Sequence, residues 1–127
     1  VIDMRYLTVA DGEYGIESLR KIAAQSVVPG TTTEVANLRE RFTPMEVTEG
    51  NLKLYEIVRE QGRKLGLDIA KKVGGGASDA GWTVRAGAPS ICSMGALGAL
   101  NHSDREYIFL AGLVERAKLL ALSVDAV

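Results

Sequence analysis

The chain has 127 residues, 46% of them apolar and 24% charged, with a formal net charge of −1. That composition fits one soluble globular domain with a real core, and without a basic block it excludes nucleic acid as the first choice of partner. No apolar run approaches the roughly 20 residues needed to span a bilayer, so no membrane is implied. The single Cys92 forms no internal disulfide, which suits a reducing cytoplasm.

Residues 1–9 read as a strand already under way. Ile2, Met4 and Tyr6 alternate with Asp3 and Arg5, as on a strand with one buried face. No charged n-region leads into an apolar core, so this is not a signal peptide. The N-terminal part of a longer protein is expected to be missing. Asp11 is placed to cap a helix that ends near Gln25, with Ile16, Leu19, Ile22 and Ala23 on one stripe. Pro29-Gly30 makes a turn, and the Thr-rich residues 31–35 read as a second strand. Residues 1–38 thus form a β-α-β unit.

Residues 39–44 are polar, end in proline and suit a domain crossing. Thr48 is the expected N-cap of a helix over 49–65, with Leu52, Tyr55 and Val58 as its apolar face and Gly66 as its C-cap. Residues 67–73 read as a strand running into Gly74-Gly75-Gly76. Ser78 is expected to cap a short helix to Ala86, stopped by Gly87, and residues 89–93 read as another strand. A last helix is predicted over 110–124, with Leu113, Ala117, Leu120 and Val124 on its buried side. The α-β-α-β-α order from residue 49 onward argues for an α/β sheet with helices packed on it.

Two loops carry candidate chemistry. Both follow predicted strands, and ligands of open α/β sheets sit at carboxyl ends of strands. The backbone N–H groups of Gly74-Gly75-Gly76-Ala77-Ser78 offer an anion site at a helix start. The segment lacks the spacing of a P-loop or a dinucleotide fingerprint, and its plainer reading is a tight strand-to-helix turn. The second loop holds His102, the only histidine of the chain. Its residue type suits a metal ligand or a proton carrier, and equally a surface or hydrogen-bonded structural role. Asp104 and Glu106 are then second-shell partners or helix-start carboxylates. Arg39 and Arg41 suit a bidentate contact with a substrate carboxylate, against the plainer reading of a solvated loop. Cys92 is expected to be a small buried core residue, and Trp82 to pack the short helix onto the sheet.

In order, Pro44-Met45-Glu46-Val47-Thr48-Glu49-Gly50-Asn51, Gly75-Gly76-Ala77-Ser78-Asp79-Ala80, Gly87-Ala88-Pro89 and His102-Ser103-Asp104-Arg105-Glu106-Tyr107 cover nearly the whole chain. Together they resemble the C-terminal part of a glutamate carboxypeptidase. That enzyme belongs to the dinuclear zinc peptidases that include acetylornithine deacetylase and succinyl-diaminopimelate desuccinylase. The resemblance implies an α/β fold: residues 1–43 as half of a ferredoxin-like lid and dimerisation domain, residues 44–127 as the C-terminal segment of a zinc-exopeptidase catalytic domain.

By the same resemblance His102 closes the zinc site, and Gly76, Ala77 and Ser78 line the substrate pocket. Arg41 binds the substrate carboxylate. The local segment reads Arg41-Phe42-Thr43-Pro44-Met45, one residue longer than the family pattern, so Arg39 stays open as the alternative. The intact enzyme would carry two zinc ions, or cobalt or manganese, and hydrolyse the amide bond of a small peptide or N-acyl amino acid as a cytoplasmic homodimer. The family's His-x-Asp motif, bridging aspartate and general-base glutamate are not found in this sequence and are expected upstream. The stretch before the histidine is less glycine-rich than usual. The chain alone is therefore expected to be inactive. The alternative is a non-catalytic α/β module that binds a small anion or mediates association.

Overall fold

A computed structural model of the chain describes every residue except Asn37 and residues 39–41. Among the described residues it holds four helices, α1 (Val9–Ala23), α2 (Glu49–Lys64), α3 (Ala80–Arg85) and α4 (Leu110–Asp125), and two short strands, β1 (Gly98–Ala99) and β2 (Tyr107–Ile108). They fall into two compact units. One comprises Val1–Glu46 with Gly74–Ala88, the other Val47–Val73 with Pro89–Val127.

In the first unit, α1 starts before Asp11. Thr8 is the N-cap: its hydroxyl oxygen accepts the Asp11 N–H at 3.1 Å and donates to the Asp11 carboxylate at 2.7 Å. Asp11 thus sits in the first turn, where its charge also suits the helix dipole. Gly12 and Gly15 leave room on α1 for the side chains of Tyr6 and Met4, which a Cβ at either glycine would strike. The alternating Met4 and Tyr6 are half-buried, as expected, whereas Ile2 and Ile22 are exposed. The Val9 N–H donates to Glu46 Oε1 at 2.9 Å, which ties the helix start to the end of this unit's first segment. On α3, Gly81 lies directly against the Thr43 backbone carbonyl. Ala88 N–H reaches Thr83 O at 3.0 Å and Gly87 N–H reaches Val84 O at 2.9 Å, closing the helix as a Schellman motif.

In the second unit, α2 packs against α4. Its ends follow the sequence closely. Thr48 accepts the Asn51 N–H at 3.1 Å. Gly66 takes φ 74°, and the Leu67 N–H returns to Gly62 O at 2.8 Å, a second Schellman closure. The core is centred on Val58 (3% exposed) and Leu119 (fully buried), with Asn51, Gln61 and Ser123 also buried. These polar side chains are bonded: Asn51 Oδ1 accepts the Ser90 N–H at 2.9 Å, Gln61 accepts from Lys64 at 3.0 Å, and Ser123 donates to Leu119 O at 2.7 Å. Tyr55 donates to Ile69 O at 2.9 Å, and Lys71 lies 5.2 Å over its ring, so residues 69–71 fold back on α2.

Four expectations need correction. Residues 1–9, 31–35, 67–73 and 89–93 join no strand ladder among the described residues; the only ladder is β1 with β2. A strand needs a neighbour for its N–H and C=O groups, and alternation in one segment does not supply one. The face of α4 also differs. Gly112, Leu119 and Ser123 are buried, while Leu113, Ala117, Leu120 and Val124 are exposed. The buried face carries Leu119 with the small Gly112 and Ser123 and is flanked by Glu115 and Arg116, so close packing through small residues, and not the apolar stripe, sets the buried side. Cys92 is exposed rather than buried, and Trp82 is 41% exposed, with the Arg85 guanidinium 5.8 Å over its ring.

Candidate metal-ligand turn and glycine loop

His102 lies on the turn of a small hairpin in the second unit. β1 and β2 pair antiparallel, Gly98 with Ile108 and Ala99 with Tyr107, and the Phe109 N–H extends the pairing to Leu97 O at 2.9 Å. Between them the chain closes on itself. The Ser103 N–H and hydroxyl both donate to Leu100 O, at 3.2 and 2.7 Å. The Ser103 hydroxyl oxygen accepts the Arg105 N–H at 3.2 Å, and Ser103 O accepts the Glu106 N–H at 3.2 Å. The His102 N–H donates to Glu106 Oε2 at 3.1 Å. The imidazole itself is exposed and makes no hydrogen bond or ion pair among the described residues. Both ring nitrogens are therefore open to a ligand.

α4 begins at Leu110, too far along for Asp104 and Glu106 to sit at a helix start. That leaves the partner role for Glu106, and the atom it holds is the backbone of His102, not its ring. Sequence reasoning missed this hairpin because a two-residue strand carries no alternation to detect.

The glycine loop belongs to the first unit. Arg5 Nη1 donates to Gly75 O at 2.9 Å while the same guanidinium pairs with Asp3 at 3.2 Å. Ser78 Oγ accepts the Ala80 N–H at 3.2 Å in a turn just ahead of the helix, but the N-cap is Asp79, whose side chain makes no capping bond, so the expected Ser78 cap is not formed. The following helix has only six residues, which makes its dipole a weak source of anion affinity. The loop has other assets. Gly76 and Ala77 are exposed, and their N–H groups make no hydrogen bond among the described residues. A Cβ at Gly74 or Gly76 would meet nothing within 4 Å. These are donors without an acceptor on backbone that a ligand can approach closely.

Arg41 and its alternative Arg39 lie outside the described residues. A cavity of about 60 Å³ in the first unit is lined by Tyr6, Val9, Gly12, Glu13, Ile16 and Arg85, and one of about 270 Å³ in the second by Leu65, Ala111, Val114, Glu115 and Lys118. Neither includes a predicted site residue. Among the described residues no group of three histidine, cysteine, aspartate or glutamate side chains gathers to hold a metal ion. The His102 imidazole fits one ligand position; a catalytic zinc takes about three protein ligands.

Helices with a small two-strand ladder define, in class, an α/β segment. The chain belongs to peptidase family M20/M25/M40, whose family model matches residues 6–126. Members of that family are hydrolytic peptidases that generally use divalent metal ions. Neither the curated proteins nor the solved structures gave a significant match. Among the described residues no helix is long and apolar enough to cross a membrane.

Proposed function

We propose that this chain is the C-terminal part of a zinc-dependent amidohydrolase of the glutamate carboxypeptidase, acetylornithine deacetylase and desuccinylase type. Its substrate is a small peptide or N-acyl amino acid with a free carboxylate. The observation that carries the reading is the family match across residues 6–126. It is supported by the open imidazole of the chain's only histidine.

On this reading residues 1–43 are part of a lid domain that carries a homodimer contact, and residues 44–127 are the closing segment of the catalytic domain. His102 is one metal ligand. Gly76 and Ala77 donate their N–H groups to the substrate carboxylate, Ser78 donates its hydroxyl, and Arg41 adds a paired guanidinium contact. A bound divalent ion supplies polarisation of the amide carbonyl. The general-base glutamate and the other ligands are assigned, on this reading, to the remainder of the complete protein.

The test is hydrolysis of N-acyl amino acids and dipeptides by the 127-residue chain and by the complete gene product, each with added zinc. The expected result is no turnover by the chain alone. The complete protein should give zinc-dependent turnover that His102→Ala lowers by at least ~100-fold, the scale for damage to a metal site. Turnover by the chain alone, or full activity of the His102→Ala enzyme, would refute the assignment. Carboxylate binding without turnover in the complete protein would favour the non-catalytic module.

A further inference from the structure

We propose that Glu106 is the positioning residue for His102, its carboxylate holding the left-handed backbone that sets the direction of the imidazole. The proposal rests on the reading of His102 as a metal ligand.

Among the described residues three non-glycine positions have positive φ: Ser93 at 67°, Leu100 at 61° and His102 at 66°. All three fall in the stretch that leads into the hairpin and through its turn. A left-handed residue with a side chain is strained and persists only where its surroundings hold it. Leu100 is held through its carbonyl, which accepts both the N–H and the hydroxyl of Ser103. At His102 the holding group is the Glu106 carboxylate, whose Oε2 accepts the His102 N–H at 3.1 Å. A charged acceptor makes the stronger kind of hydrogen bond.

Glu106 is itself fixed. Its N–H donates to Ser103 O at 3.2 Å, and the next residue, Tyr107, is paired with Ala99 in the ladder. It makes no ion pair among the described residues, so its carboxylate is not drawn elsewhere. A histidine ligand is commonly oriented by a hydrogen bond to its second ring nitrogen. Here the ring has no such partner among the described residues, and orientation falls to the backbone that Glu106 clamps.

The experiment compares the 15N-labelled complete gene product with its Glu106→Ala, Glu106→Gln and Glu106→Asp variants. Two readouts are followed: hydrogen exchange of the His102 amide, and the His102 ring resonances during titration with zinc chloride. Glu106→Ala should speed amide exchange about tenfold, the loss of one hydrogen bond to a charged group, and weaken the zinc response several-fold, with α2 and α4 resonances unmoved. Glu106→Gln keeps a neutral acceptor oxygen at the same reach and should recover both to within about three- to fourfold. Glu106→Asp, one methylene short, should not. If Glu106→Ala loses the helix resonances, the contrast between Gln and Asp decides instead.

Unchanged exchange and zinc response in the Ala variant would overturn the proposal. So would a zinc response weakened equally in the Gln variant while its amide stays protected, since charge and not position would then be responsible. A His102 imidazole that ignores zinc in the unmutated complete protein would overturn the ligand reading of His102, whatever the amide does.

Discussion

Replacing Leu119 with alanine should cost about 3 kcal/mol, within the ~2–5 kcal/mol seen for buried leucines. Leu119 is fully buried, and with Val58 it forms the buried apolar centre among the described residues. Its truncation removes three carbons, about 2–2.5 kcal/mol of transfer free energy at ~0.8 kcal/mol each. The cavity left between α2 and α4 adds the rest, and partial collapse of two packed helices keeps it moderate. Leu120, the next residue, is 49% exposed, so Leu120→Ala should cost less than ~1 kcal/mol. The assay is urea unfolding followed by far-ultraviolet circular dichroism. With a slope of ~1–3 kcal/mol/M, the Leu119 variant should unfold at least ~1 M earlier and the Leu120 variant less than half as far. A Leu120→Ala penalty equal to or above that of Leu119→Ala would refute the reasoning. It would return the buried face of α4 to the stripe of Leu113, Ala117, Leu120 and Val124.

Thr48→Ala removes the acceptor for the Asn51 N–H and should lower stability by ~1 kcal/mol, read from the same urea curves. Gly81→Ala places a methyl group into the Thr43 backbone carbonyl, which cannot swing aside, and should cost ~1–3 kcal/mol in thermal or urea unfolding. Gly76→Ala meets nothing within 4 Å and should leave stability within ~0.5 kcal/mol. If the proposed carboxylate contact at this loop is correct, the same change in the complete protein should raise KM for carboxylate substrates in steady-state kinetics, since the added methyl stands on backbone the ligand must approach.

The helix signals in the sequence are local, and the structure follows them. Thr48 before Asn51 caps α2, and Gly66 and Gly87 end α2 and α3 because each signal needs only residues within one turn. The start of α1 shifts because two capping groups, Thr8 and Asp11, stand three apart and the hydroxyl takes the cap. Strands were not legible in the same way. The alternation of Met4 and Tyr6 does predict which side chains turn inward, yet no ladder forms there, since pairing depends on a second segment that no local pattern names. The buried face of α4 is carried by Leu119 with the small Gly112 and Ser123, a set that apolar spacing does not pick out. At the candidate site, residue type picked out His102 and the glycine loop. The clamp at His102 was beyond reach because it depends on a positive φ at a non-glycine residue, which no sequence pattern announces.

The turn that carries His102 has a consequence for the order of folding. Its hydrogen bonds all close between residues 97 and 109, whereas the packing of α2 (Glu49–Lys64) on α4 (Leu110–Asp125) joins segments about sixty residues apart. Local hairpins form in about 1–10 μs, faster than contacts that must close a long loop. A two-stranded ribbon alone is marginal in water, so the turn opens and re-forms until α4, which follows it directly in the chain, packs on α2. The imidazole is thus presented early and made permanent late, and a substitution that weakens helix docking should shorten the lifetime of the turn without altering its geometry.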